Sequence, residues 1–130
     1  MTRFLLTLQE AVFLSKLCAH AGKQGDLFVI KSPACTVYTL VSALSMLLKK
    51  SYMIKEIGIR PGEKIHETLL TGEEVAKGEE STNSNGITYV RIPAKSKPID
   101  YSESIPFTSE NTIQFNSQEV LALLKRINIS

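Results

Sequence analysis

Residues 58–67 read GIRPGEKIHE, and this stretch carries the strongest chemical signal in the chain. Pro61 presets its own φ angle and Gly62 accepts backbone angles that other residues avoid, so the segment is typical of a tight turn. Arg60 and Glu63 flank that turn and can project toward one ligand. A guanidinium suits a phosphate, and a carboxylate suits a pair of sugar hydroxyls. The pattern indicates a nucleotide or nucleotide-sugar ligand, although the same residues also form ordinary surface turns.

The composition of the whole chain is typical of one globular domain. The chain has 130 residues, of which 43% are hydrophobic and 22% charged, and its net charge is +2. That charge is too small to favour nucleic acid, and no basic run supports it. No apolar run approaches membrane-spanning length, and the opening residues lack the features of a secretory signal. We therefore expect a cytoplasmic protein with no nucleic-acid or membrane partner.

The two cysteines, Cys18 and Cys35, are too few for a disulfide framework or a zinc site. Both lie in apolar segments, so we expect reduced, buried thiols and no metal.

Apolar periodicity and capping residues predict an α/β fold, in which helices flank a small mixed sheet. The predicted helices cover 7–21, 36–50, 71–77 and 117–126, and the predicted strands cover 26–31, 53–57, 64–70 and 87–92. Residues 78–86 contain no apolar side chain, so we expect this segment to be mobile. Residues 93–106 are expected to form an extended arm.

No catalytic arrangement stands out in the sequence. His66 follows the turn and is the more interesting of the two histidines, but a structural histidine held by a local carboxylate, such as Glu63 or Glu67, is the favoured interpretation. His20 stands at the end of a predicted helix, where a capping role is expected. No glycine-rich phosphate loop follows a strand, so the sequence contains neither a dinucleotide fingerprint nor a Walker loop.

Several spaced motifs together resemble one family. They are residues 1–4 (MTRF), 7–12 (TLQEAV), 25–29 (GDLFV), 34–37 (ACTV) and 57–70 (IGIRPGEKIHETLL), joined by 91–94 (RIPA), 99–101 (IDY) and 108–112 (TSENT). Their order is similar to that of the carboxyl-terminal part of extended short-chain dehydrogenase/reductases. The subgroup is the CapD type of bacterial polysaccharide-biosynthesis enzymes, which comprises UDP-sugar 4-epimerases and UDP-N-acetylglucosamine 4,6-dehydratases.

The resemblance implies a UDP-sugar-binding substrate domain over residues 1–92 and a carboxyl-terminal extension over 93–130 that ends in a helix. By the same resemblance, Arg60 contacts the diphosphate, Glu63 contacts the ribose and Arg3 contacts UDP. His66 matches a position characteristic of the subgroup, without a role. No residue of this chain is expected to be catalytic.

The chain departs from the family because the family carries an amino-terminal Rossmann domain with an NAD(P) loop and a Tyr-x-x-x-Lys pair. Here both are missing; Tyr52 and Lys55, for example, are three positions apart. We expect a fragment, inactive alone, whose parent enzyme uses NAD(P). It would pair with a separate Rossmann-domain chain or with a second copy. The alternatives are a noncatalytic UDP-sugar-binding or assembly module and the remnant of a split gene.

Overall fold

The computed structural model describes residues 1–96 and 99–127, and its helices flank three short sheets. In chain order the elements are β1 (Thr2–Phe4), α1 (Leu8–Ala21), β2 (Leu27–Ile30), β3 (Ala34–Thr36), α2 (Val37–Leu48), β4 (Thr68–Leu70), α3 (Gly72–Lys77), β5 (Glu79–Thr82), β6 (Thr88–Ile92), β7 (Phe107–Thr108) and α4 (Ser117–Arg126). The predicted α/β class is confirmed.

These elements form two compact units, each built from separate pieces of the chain. The first unit comprises residues 1–5, 33–67 and the described residues from 109 onward, and the second comprises 6–32 and the described part of 68–108. The predicted division into a substrate domain over 1–92 and an extension over 93–130 concerns ligand binding rather than compactness, and it stays a prediction.

In the first unit, β1 pairs antiparallel with β3, and α2 packs against α4. Cys35 and Ala43 are buried together with Val120 and Leu124 of α4, and partly buried leucines of α2 surround them. Burial raises the pKa of the Cys35 thiol, because the charged thiolate is disfavoured away from water. The prediction of a buried thiol at Cys35 is therefore confirmed.

Local capping sets where both helices of this unit begin. The Thr36 hydroxyl accepts a hydrogen bond from the backbone N–H of Thr39, as expected for the start of α2. For α4 the cap lies one residue earlier than predicted: Asn116, not Ser117, accepts the backbone N–H groups of Gln118 and Glu119.

In the second unit, β2, β6 and β5 form a three-stranded antiparallel sheet, and β4 pairs with β7. Leu70, Val90 and Ile92 are buried at its core. The predicted capping boxes are present at both helices: Thr7 and Glu10 cap α1, and Thr71 and Glu74 cap α3.

The strand predicted over residues 53–57 is wrong, because the structure has neither helix nor strand between Lys50 and Glu67. Met53 is 97% exposed, and Ile57 and Ile59 are also exposed. The β-prone side chains of this stretch have no neighbouring strand among the described residues, and a strand without a ladder partner is not stable. The strand predicted over 64–70 is limited to β4.

The segment 78–86, expected to be mobile, instead contains β5 and a turn. Its polar side chains make cross-strand ion pairs: Glu80 pairs with Lys31, and Glu79 lies 3.4 Å from Arg91. The Asn83 side chain closes the turn by accepting the backbone N–H groups of Asn85 and Ile87. Backbone pairing with β6 therefore orders a segment that lacks apolar anchors.

The expectation for Cys18 is also wrong, because this thiol is exposed on α1. α1 buries no residue completely, and Leu8, its first residue, is 80% exposed. In the part of the chain that the structure describes, no helix is long and apolar enough to cross a membrane.

Candidate functional site

The turn predicted from the sequence is present in the first unit and closes on itself. The backbone N–H of Glu63 donates to the Arg60 carbonyl at 3.0 Å, and the backbone N–H of Arg60 donates to Glu63 Oε2 at 3.1 Å. Gly62 has a φ of 81°, a left-handed conformation that glycine adopts without strain. The Glu63 carboxylate is therefore held over the backbone of its own turn.

The side chain of Arg60 is exposed, and no hydrogen bond or ion pair restrains it within the described residues. Its positive charge is available to a ligand. The guanidinium of Arg3 differs, because it lies close to two carboxylates and donates to backbone carbonyls.

Arg3 lies on β1 and faces two carboxylates of the segment 63–67. Its Nη2 lies 3.7 Å from Glu63 Oε1, and its Nε lies 3.6 Å from Glu67 Oε1, both at ion-pair distance. Its Nη1 donates to the Thr2 carbonyl at 2.8 Å and approaches the Ile65 carbonyl at 3.4 Å. The structure thus brings together two of the predicted site residues, Arg3 and Glu63.

Glu67 connects this cluster to β1 and to the segment that precedes α4. Its Oε2 accepts the backbone N–H of Phe4 at 3.1 Å, and its own backbone N–H donates to Ser109 Oγ at 2.8 Å. The backbone N–H of Ser109 donates to the Glu67 carbonyl in return, also at 2.8 Å. Both the side chain and the backbone of Glu67 are therefore fixed.

His66 lies beside the cluster at the partly buried end of a chain of hydrogen bonds. Its Nδ1 shares a hydrogen bond of 2.8 Å with Thr2 Oγ1, which shares another of 2.7 Å with Ser109 Oγ. Its Nε2 lies 3.7 Å from the Glu110 carboxylate. The carboxylate partner of His66 is therefore Glu110, rather than Glu63 or Glu67 as the simple structural interpretation supposed.

Sequence reasoning missed four members of this cluster, namely Thr2, Glu67, Ser109 and Glu110, as candidates for the site. Ser109 is fully buried, and its contacts with Thr2 span 107 positions of the chain. Periodicity carries no information about such distant contacts. The only available signal was that these residues lie inside the motifs 1–4, 57–70 and 108–112.

The residues present do not fit a dinucleotide cofactor or a metal ion. No pair of glycines in the sequence has the G-x-G spacing by which a backbone loop approaches a pyrophosphate. Among the described residues, no group of three His, Cys, Asp or Glu side chains could hold a metal.

Comparison with known proteins finds a matching family and similar enzymes. Residues 1–89 match the family described as "Polysaccharide biosynthesis protein". UDP-glucose 4-epimerase of Rickettsia bellii (strain OSU 85-389) is 37% identical, and the match covers 98% of this chain and 39% of the relative. The enzyme of the same name from Rickettsia canadensis (strain McKiel) is 36% identical with the same coverage.

A solved structure is also similar to this chain. The X-ray structure of Pen from Bacillus thuringiensis matches all of this chain and 39% of its own, with a TM-score of 0.81 and 25% sequence identity. The chain therefore spans about two fifths of the length of the proteins that it matches.

Proposed function

Because the chain belongs to the polysaccharide biosynthesis protein family, we propose that it binds the UDP part of a UDP-hexose within a 4-epimerase or 4,6-dehydratase of cell-surface polysaccharide synthesis. The resemblance of its motifs to extended short-chain dehydrogenase/reductases of this type is confirmed by the family match. The similarity to enzymes named UDP-glucose 4-epimerase supports the choice of a UDP-sugar as ligand.

The observation that carries the proposal is the turn of residues 60–63. It holds an exposed guanidinium on Arg60, which has no ion-pair partner among the residues that the structure describes, and, three residues later, a carboxylate oriented by the backbone. In the proposed complex Arg60 contacts the diphosphate and Glu63 accepts hydrogen bonds from the ribose hydroxyls. Arg3 and His66, which lie beside Glu63 and Glu67, remain candidates for the same ligand.

The proposed contribution of this chain is to bind and orient the UDP-sugar. Correct orientation of the substrate before the reaction lowers the activation barrier. NAD(P), which the resemblance implies for the whole enzyme, supplies hydride transfer when bound, but the residues of this chain do not fit it. We therefore propose that the chain alone is inactive and works with a partner, either a separate Rossmann-domain chain or a second copy.

Calorimetric titration of the chain with UDP tests the proposal. Arg60→Ala should weaken UDP binding by about 1.5–3 kcal/mol, the usual loss for a hydrogen bond to a charged group. Arg60→Lys should recover only part of this, because an ammonium cannot make two parallel hydrogen bonds to a phosphate. Glu63→Gln should cost less than Arg60→Ala, since the amide keeps one acceptor oxygen.

Lys64→Ala is the matched control, because Lys64 is an exposed cation next to the same turn. It should leave UDP affinity nearly unchanged. If Arg60→Ala folds normally, as judged by circular dichroism, and binds UDP as tightly as the parent chain, the turn is only structural and the assignment of the site is wrong.

A further inference from the structure

The outward side of α4 is a surface that the proposed function does not use. We infer that this side binds the same side of a second copy of the chain, with the two α4 helices antiparallel and a two-fold axis that passes between Ala122 and Leu123. None of the residues involved belongs to the turn of residues 60–63, so the inference goes beyond the proposed UDP site.

The first argument is the shape of this surface. A groove along α4 is lined by Glu119, Ala122, Leu123 and Arg126, together with Phe115 just before the helix. The four helical residues have the spacing i, i+3, i+4 and i+7, so they surround one gap on a single helix face. Four residues in such an arrangement form the hole that receives a side chain of a facing helix in coiled coils. The groove therefore has the form of a helix-binding surface.

The second argument is that α4 is held in place by its other side. Val120 and Leu124 are buried with Cys35 and Ala43, and α2 packs against α4. Ala122, on the groove side, is exposed. Because alanine is small, the axis of a second helix can approach closely at this position. A partner can therefore bind the groove while the core of the first unit stays intact.

The third argument is the charge on the groove. Glu119 and Arg126 are both exposed and have opposite signs, but they are seven residues apart, or about 10 Å along the helix axis, which is too far for an ion pair. Glu119 Oε2 accepts the backbone N–H of Asn116 at 2.7 Å. Arg126 has no hydrogen-bond or ion-pair partner within the described residues. Both charges are thus available to opposite charges on another molecule.

The placement of these charges identifies that molecule as a second copy. The midpoint between Glu119 and Arg126 falls between Ala122 and Leu123. When a second α4 lies antiparallel with its midpoint at the same place, each Glu119 faces the Arg126 of the other copy, and Ala122 and Leu123 meet their counterparts. A parallel arrangement in the same register would place like charges opposite each other. The surface is therefore complementary to itself in the antiparallel orientation.

We expect a weak dimer, because the contact is limited to one face of a short helix. α4 has 10 residues and is therefore about 15 Å long. A contact of this length buries less surface than the interfaces of stable complexes. Exposed ion pairs add little affinity, but they select the orientation and are screened by salt.

Charge reversal tests the inference by sedimentation equilibrium of the full chain between about 10 µM and 1 mM. The average mass of the parent chain should rise toward twice the monomer mass over this range. Glu119→Lys makes the groove wholly positive and Arg126→Glu makes it wholly negative, so each variant alone should remain a monomer. An equimolar mixture of the two variants should regain dimerisation, because every facing pair of charges is then of opposite sign.

Lys125→Glu is the matched control for Arg126→Glu. Lys125 is exposed and the substitution changes the charge equally, but its position lies about 100° around the helix from Arg126 and does not line the groove. This variant should dimerise as the parent chain does.

Ala122→Lys keeps the test valid if Glu119→Lys weakens the helix by removing the capping carboxylate. Ala122 is exposed, so this variant should fold normally by circular dichroism, but at the two-fold axis the new charge would meet its own counterpart. It should therefore remain a monomer.

The inference is overturned if the parent chain stays a monomer at about 1 mM, or if the folded single variants dimerise as the parent does. It is also overturned if the mixture of the two charge variants stays monomeric. A dimer formed through another surface would persist in every variant and so would count against α4.

Discussion

The carboxylate of Asp26 accepts hydrogen bonds from three parts of the second unit. Its Oδ2 accepts the backbone N–H of Lys23 at 3.0 Å and the Nε of Arg91 at 2.8 Å, and its Oδ1 accepts the backbone N–H of Ala94 at 3.2 Å. The hydrogen bond from Lys23 contributes most to a lowered pKa of Asp26, with Ala94 and Arg91 acting in the same direction against desolvation. Asp26 thus joins the loop before β2 to β6 and to the chain that follows it.

The lowered pKa of Asp26 predicts a dependence of stability on pH. A carboxyl whose pKa is lower in the folded state than its ordinary 3.8 stabilises the fold above that value and loses the contribution as the pH falls through the folded pKa. The urea midpoint of the parent chain should therefore fall more steeply below about pH 4 than that of Asp26→Asn.

Glu103→Gln is the control for Asp26→Asn, because Glu103 is an exposed carboxylate without a partner among the described residues. Its pH dependence should follow that of the parent chain. Parallel curves for the parent and for Asp26→Asn would show that the contacts of Asp26 add nothing to stability.

At the scale of the elements, α4 supplies much of the core of the first unit. Val120 is completely buried and Leu124 nearly so, and both pack with Cys35 and with α2. The Asn116 side chain caps the start of α4. The positive charges of Lys125 and Arg126 interact favourably with the helix dipole at its end. Because β1, which carries Arg3, pairs with β3, which carries Cys35, this core also supports the candidate site.

Leu124→Ala should lower the free energy of unfolding by about 2–4 kcal/mol, since it removes buried methyl groups and leaves a cavity. Ile113→Ala is the matched control in the same unit, because Ile113 is 72% exposed. It should change stability by less than about 0.5 kcal/mol. Equal losses from the two substitutions in urea unfolding would contradict the assignment of the core.

The helices could be predicted from the sequence because the signals that begin and end them are local. Thr7 and Glu10, or Thr71 and Glu74, satisfy the first backbone groups of a helix within four positions. The strands β1, β3 and β7 were missed because each has at most three residues and depends on a distant partner. Such short strands show no period of their own.

In the candidate site, too, only features that depend on residues close together in sequence could be predicted. The turn at Arg60 and Glu63 was predictable because proline, glycine and the capping carboxylate lie within four positions. The links of Glu67 and Thr2 to Ser109 were not, because they span 42 and 107 positions. The charge compensation of Arg3 likewise depends on contacts between β1 and the segment 63–67, which no local pattern encodes.

The chain as a whole spans about two fifths of the proteins that it matches, and many of its large apolar side chains are exposed. They include Leu8 and Val12 on α1 in the second unit, and Met53, Ile57 and Ile59 before the turn in the first unit. Apolar surface of this kind is typical of chains that associate with others. This surface agrees with the expectation that the chain works with a partner, either a Rossmann-domain chain or a second copy. That expectation stays a prediction.

Chemical-shift mapping by nuclear magnetic resonance shows directly whether UDP binds at the turn of residues 60–63. The isotope-labelled chain is titrated with UDP while its amide signals are recorded. If UDP binds there, we expect the largest shifts within residues 58–67, with saturation that is lost in Arg60→Gln and retained in Lys64→Gln. Shifts confined to the second unit, or none up to about 1 mM UDP, would contradict it.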